Sequence, residues 1–323
     1  MRKIDAELPS PAQFDHVITA VPQGGDLIWL DTTPEVAPFR FLLFNLRDKL
    51  ARVVPPGKPA YLVKTPAAPP FPTSVVFNAT GKLGEDGTLH SHMEVVARGD
   101  LEVPLRLAFR RTPQTKWKDL AQSLSYAEAF AGEVSNVIVS TPESTDQPFR
   151  YTYDYTRKDY SDGENKRIFA AVPGFDLPAV DDDAKQLKPI FLGAPGDFHY
   201  QSKIELPSGS TPGVLKPVNL DLPFAEYHSS YSFKDGVLSS DRRLITKLQE
   251  VPVAQKESYK SFQKTVNDER SLYTYLNASA VGAVPPNTEA VRNLDQARQA
   301  YQQRQFEQAL DYAQRATVLD PQY

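Results

Sequence analysis

Between residues 73 and 250 the chain alternates: Phe149, Tyr151, Tyr153 and Tyr155 take every second position, with Arg150, Thr152, Asp154 and Thr156 between them. Only an extended backbone sends successive side chains to opposite sides, so the pattern demands strands with one apolar and one polar face. A helical backbone would spread the same aromatics around its circumference. Similar runs recur, separated by Gly, Pro and Asp. Two of the separators are Asp-Gly pairs: Asp86-Gly87 lies between runs 75–83 and 88–98, and Asp235-Gly236 lies between runs 227–234 and 237–248. Asp-Gly takes the left-handed backbone that a tight hairpin turn needs. Residues 73–255 therefore read as an antiparallel β-sandwich.

Two helical segments interrupt this pattern. Leu101, Leu105, Ala108 and Phe109 recur at helical spacing, and 116–130 is amphipathic, so both are expected to pack on the sandwich as a helical insertion. From residue 258 onward the periodicity is helical again. Beyond the break at Val284-Pro285-Pro286-Asn287, residues 288–303 and 306–317 predict a helical hairpin. A chain of 323 residues exceeds what a single core usually spans. The expected fold is mainly β with helical additions (α+β), in three parts: 1–64, 73–255 and a helical tail at 258–323, with a Pro-rich linker at 66–72. The loop at 180–189 contains Asp181-Asp182-Asp183, but it lacks the alternating spacing of a calcium loop and reads as a solvated turn.

The charge balance, 36 Lys and Arg against 40 Asp and Glu, gives no reason to expect a nucleic-acid or acidic-membrane partner. No apolar run approaches a membrane span, and residues 1–20 lack a basic stretch followed by an apolar one. The chain contains no cysteine, which excludes disulfides, thiolate metal sites and a cysteine nucleophile within these residues.

The segment most informative about chemistry is 9–34. His16 is expected to open one strand and Asp31 to close the next. With Pro22-Gln23-Gly24-Gly25 as the connecting loop, Val21 faces Asp26, and counting back by pairs brings His16 opposite Asp31 on the same face. A slip of one residue would send the two side chains to opposite faces. An imidazole held by a carboxylate suits nucleophilic acyl transfer: the ring takes a proton from a thiol or hydroxyl, and the carboxylate orients it. A cross-strand contact without chemistry is the other reading of such a pair. Trp29 shares the Asp31 face, either as a wall of the cleft or as a core aromatic.

Phe14-Asp15-His16-Val17 followed by Trp29-Leu30-Asp31-Thr32-Thr33 resembles the transglutaminase-like superfamily, with its papain-like core. The closest likeness is to a bacterial family that joins a β-rich N-terminal domain, that core and a C-terminal β domain. The resemblance implies that His16 is the general base and acid and Asp31 its orienting partner, in a triad whose cysteine lies upstream. It further implies thiol-dependent amide hydrolysis or acyl transfer on a peptide or protein substrate, without cofactor or metal, and export to the periplasm or cell surface. Residues 1–64 then read as the C-terminal part of the core, inert alone for want of the cysteine.

The second half of the helical tail, with Ala297, Ala300, Phe306, Ala309, Ala316 and Leu319-Asp320-Pro321, resembles one tetratricopeptide repeat, although Arg304 or Gln305 stands where that repeat has a small residue. Repeat helices suit protein partners, so a non-catalytic interaction module built on the sandwich and these helices is the alternative reading. His90 and His92 alternate on one strand and are expected to face solvent, while His199 and His228 are isolated. Gly24-Gly25 and Gly193-Ala194-Pro195-Gly196 read as turns rather than phosphate loops, since no Lys-Ser or Lys-Thr helix start follows them.

Overall fold

The computed structural model describes residues 10–161, 167–180, 188–277, 288–303 and 305–319. Its strands are β1 (Thr19–Gln23), β2 (Asp26–Leu30), β3 (Leu50–Val53), β4 (Tyr61–Lys64), β5 (Thr73–Leu83), β6 (Leu89–Arg98), β7 (Glu133–Val139) and β8 (Phe149–Arg157). There follow β9 (Arg167–Phe169), β10 (Ile190–Phe191), β11 (Gly196–Glu205), β12 (Val218–Asp221), β13 (Ala225–Lys234), β14 (Val237–Thr246), β15 (Glu250–Val251) and β16 (Tyr273–Tyr275). The α-helices are α1 (Glu102–Arg111), α2 (Trp117–Ala127), α3 (Lys256–Arg270), α4 (Thr288–Gln302) and α5 (Phe306–Leu319). The aspartate run at 181–183, the Pro-Pro break, Arg304 and Asp320-Pro321 lie outside the described residues.

The chain is mainly β with helical additions, as the alternation required. One eight-stranded sheet, in the order β12-β13-β14-β11-β5-β6-β8-β7, dominates it. Neighbours are antiparallel except β5 and β11, which run parallel from Thr73↔Gly196 to Lys82↔Glu205. The expected antiparallel sandwich is thereby corrected: among the described residues every other sheet has two strands, and helices cover the large sheet. Alternation demands a cover for one face but is the same whether that cover is a sheet or a layer of helices.

The covered face carries Phe77, Met93, Phe149, Tyr151, Tyr153, Tyr200, Tyr227 and Leu244, all buried in one cluster. Helices α1 and α2 add Phe109 and Ala121 to it, and the irregular segment after β9 adds Phe175, stacked on Tyr200 with ring centroids 4.6 Å apart. Helix α3, which begins where the sequence suggested a tail, gives the same cluster Tyr259, Phe262 and Val266. These three recur at helical spacing on one stripe, and each such burial contributes about 1.5–3 kcal/mol. Strand β16 then pairs with β9. The opposite face of the sheet is polar and open to solvent.

Residues 10–72 attach at the edge of this body. Val36 and Phe41 pack on Val103 of α1, and Phe41 stacks on Phe71 at 5.3 Å. Buried Asp100, just before α1, ties the segment down: it accepts from the Phe44 amide at 2.7 Å and from the Thr73 hydroxyl at 2.8 Å, and it pairs with Arg47. Helices α4 and α5 form the expected hairpin, closed on alanines: among the described residues, Ala290, Ala297, Ala300, Ala309 and Ala316 are its buried apolar side chains. No described helix is long and apolar enough to cross a membrane.

Candidate functional site

The ribbon of β1 and β2 turns on Gly24-Gly25, with Gln23 opposite Asp26 and Val21 opposite Ile28. Both glycines have positive φ, +60° and +96°. A two-residue hairpin turn places both central residues there, and glycine adopts that backbone without steric cost. The expected register, with Val21 opposite Asp26, is therefore two residues off. Pro22, expected in the four-residue loop, sits in β1 opposite Leu27. The pair beside a two-residue turn is hydrogen-bonded and the next one is not, so at Pro22 the missing donor costs nothing.

A shift of two keeps every side chain on its face. His16 becomes the diagonal rather than the direct neighbour of Asp31, a separation long side chains still span. The contact forms: His16 Nε2 lies 3.2 Å from Asp31 Oδ2. Neither residue sits inside a strand, which corrects the expectation that they open and close the pair. His16 lies in irregular chain before β1, and Asp31 directly follows β2.

Asp31 is held from both sides. Its Oδ1 accepts the Thr33 amide at 3.0 Å, a local Asx turn that fixes the carboxylate while Oδ2 faces the imidazole. The Asp31 side chain is 3% exposed and that of His16 31%. Trp29, on the same face of the ribbon, is buried and belongs to neither apolar cluster. With the carboxylate taking the Nε2 proton, Nδ1 is the nitrogen left as a base, and it makes no hydrogen bond among the described residues. The arrangement can accept a proton at Nδ1 and stabilise the resulting imidazolium. The nucleophile that would supply that proton is not a cysteine of this chain.

Two other histidines show what an ordinary pair looks like here. His92 meets Asp154 at 2.9 Å and His199 meets Asp241 at 2.9 Å, both on the open face of the large sheet. Those carboxylates are 45% and 39% exposed, against 3% for Asp31. Asp154 is held below the usual carboxylate range by its hydrogen bonds from His92 and then Asn136. His90 faces solvent beside His92 and reaches Thr156 at 3.2 Å, and His228 meets Asn219 at 3.0 Å. Among the described residues no cluster of three or more His, Cys, Asp or Glu could hold a metal.

Sequence reasoning missed three things: the Thr33 amide, the Asp100 anchor that holds the ribbon's chain to the body, and the burial that separates Asp31 from the other aspartates. A Thr two residues after an Asp signals the turn weakly. The other two depend on contacts between distant segments. Comparison with models of known protein families, with curated proteins and with solved structures finds no match to the chain.

Proposed function

We propose that His16 and Asp31 are the general base and orienting carboxylate of a thiol-dependent acyl-transfer centre, with the thiol supplied from outside these residues. The observation that carries the reading is the buried, doubly held Asp31 carboxylate 3.2 Å from a partly exposed imidazole. That combination is what separates this pair from the two open-face pairs. The motif resemblance around Phe14–Val17 and Trp29–Thr33 supports a transglutaminase-like chemistry, amide hydrolysis or acyl transfer on a peptide or protein substrate. Export to the periplasm or cell surface belongs to the same proposal and is tested by cell fractionation.

The experiment supplies the thiol. The chain is expressed together with the segment encoded upstream of Met1, and amide hydrolysis of a peptide substrate and iodoacetamide labelling are followed. Thiol-dependent turnover is expected, falling about 10²- to 10⁴-fold in His16→Ala, the usual worth of a positioned base. Undiminished turnover in His16→Ala, or an upstream segment without cysteine, defeats the proposal.

A second reading, a protein-interaction module, is favoured by one observation: the α4–α5 hairpin leaves Tyr301, Phe306 and Leu310 largely exposed.

A further inference from the structure

The eight-stranded sheet ends in two edge strands that are finished differently. A free edge presents unpaired N–H and C=O groups that template a further strand, and native edges are blunted by short length, charge, proline or bulges. At one end β12 has four residues, and its Asp221 and Asn219 are engaged by Lys247 and His228. At the other end β7 is blunted over its first part. The Gln122 side chain of α2 accepts from the Val134 amide at 2.8 Å and donates to the Gly132 carbonyl at 2.9 Å, the two bonds a neighbouring strand would make. A bulge follows between Ser135 and Ile138, where Asn136 has a φ of +49°.

Beyond the bulge none of these devices continues. Ser140 donates its amide to the Arg150 carbonyl at 2.8 Å, so Ser140 faces β8 and, by the alternation of an antiparallel ladder, the N–H and C=O of Val139 face outward. The run Val137-Ile138-Val139 is β-branched throughout and uncharged, and Ile138 is 69% exposed. Beside it lies a cavity of about 410 Å³ whose other wall is the start of α2, with Trp117 and Lys118. The Trp117 ring is pinned: its indole N–H donates to the carbonyls of Phe109 at 2.9 Å and Thr112 at 3.1 Å, and the ring packs edge-on against Phe109. Such an edge beside a firm apolar wall suits β-augmentation, in which an extended peptide adds a strand through main-chain hydrogen bonds while alternate side chains enter the pocket.

Charge selects the occupant. Lys118 lines this cavity and no carboxylate does. Among the described residues Lys118 has no hydrogen bond or ion pair, since the nearby Asp119 pairs with Lys116 at 3.0 Å. A second copy paired edge to edge at the same three residues would bring two Lys118 side chains to one interface, with no anion from either cavity. A peptide carboxylate meets the same lysine favourably.

We infer that the open end of β7 takes up an extended peptide of a partner protein, paired along Val139 and carrying a carboxylate to Lys118. The inference is independent of the acyl-transfer proposal.

The test titrates the full chain into fluorescein-labelled peptides of alternating Val and Thr and reads anisotropy. The first peptide carries Glu at both ends and an amidated C-terminus. The second has Gln for Glu and a free C-terminal carboxylate, the third has Gln and an amidated C-terminus, and the fourth and fifth are the first and second with N-methylated backbone amides. Saturable binding of the first or second is expected, about threefold or more tighter than the third, as an exposed ion pair gives. Which of the two binds tells whether a side chain or the chain end supplies the carboxylate. N-methylation of that peptide should weaken it about tenfold, the worth of lost edge hydrogen bonds. Lys118→Ala, at an exposed position, should make the carboxylate and amidated Gln peptides bind alike. Val139→Pro removes the outward donor without touching the bonds to β8, and should weaken the carboxylate peptide as N-methylation does; where that variant loses its circular dichroism, the N-methylated peptides read the same bond on the wild type. Absence of saturable binding, equal binding of the amidated Gln peptide or of the N-methylated one, or wild-type discrimination by Lys118→Ala overturns the inference. So does self-association that Ile138→Lys abolishes, which would make a second copy the occupant.

Discussion

Removing the Glu269 carboxylate should unhinge α3 from the sheet. Glu269 lies in the last turn of α3 and is 2% exposed, buried against β13 and β14. Its carboxylate accepts from Tyr227 at 2.6 Å, Ser229 at 2.8 Å and Tyr231 at 3.2 Å. Arg242, also 2% exposed, donates to the Tyr231 hydroxyl at 2.9 Å and to the Glu269 carbonyl at 2.7 Å. Tyr231 thus relays between a buried cation and a buried anion. Glu269→Ala leaves three hydroxyls without their acceptor and the guanidinium without its nearby anion, a change that costs about 3–5 kcal/mol when one partner of a buried pair is deleted. Against a total stability of about 5–15 kcal/mol, that is a large fraction. The neighbouring Asp268, paired with Lys264 at the surface, is the reference, and its loss should cost about 0.3–0.5 kcal/mol. Urea denaturation followed by circular dichroism measures both. If Glu269→Ala lies within about 1 kcal/mol of the wild type, the buried network does not hold the helix to the sheet.

Three further outcomes are expected. Asp31→Ala should lose about 1.5–3 kcal/mol of local stability and the exchange protection of the Thr33 amide, whereas Asp154→Ala and Asp241→Ala on the open face should cost about 0–1 kcal/mol; hydrogen exchange and urea melts that show three equal effects contradict the distinction. Glu128 has a folded carboxyl raised from 4.5 to about 7, so the folded state holds its proton more tightly than the unfolded one, and the wild type loses stability as pH rises through that window. Glu128→Gln escapes this loss, so its advantage in Tm should be larger at pH 8 than at pH 5, and an equal difference at both refutes the assignment. Gly236→Ala should cost about 1–2 kcal/mol from the backbone alone, because φ is +78° and an added Cβ meets nothing within 4 Å; an unchanged urea midpoint would show that the turn tolerates it.

What the sequence determined by itself is what a short stretch of chain decides locally. The alternation at Phe149–Tyr155 assigned the buried face of β8, and Asp235-Gly236 placed the β13–β14 turn between Lys234 and Val237. The spacing of apolar residues located α1, α2, α4 and α5 to within a few residues. At the candidate site, parity was legible and register was not: the two-residue turn shifts the pairing by two from the expected one and keeps His16 and Asp31 on one face. Only the tertiary structure decided that β5 and β11 lie side by side, that α3 belongs to the sheet's core, and that Asp100 fixes Phe44 and Arg47. It alone buried Asp31 while leaving Asp154 and Asp241 open. The physical reason is that period and turn chemistry act through neighbours along the chain. Which apolar faces cover one another, and which charges they exclude from water, depends on the packing of segments that local pattern leaves unconnected.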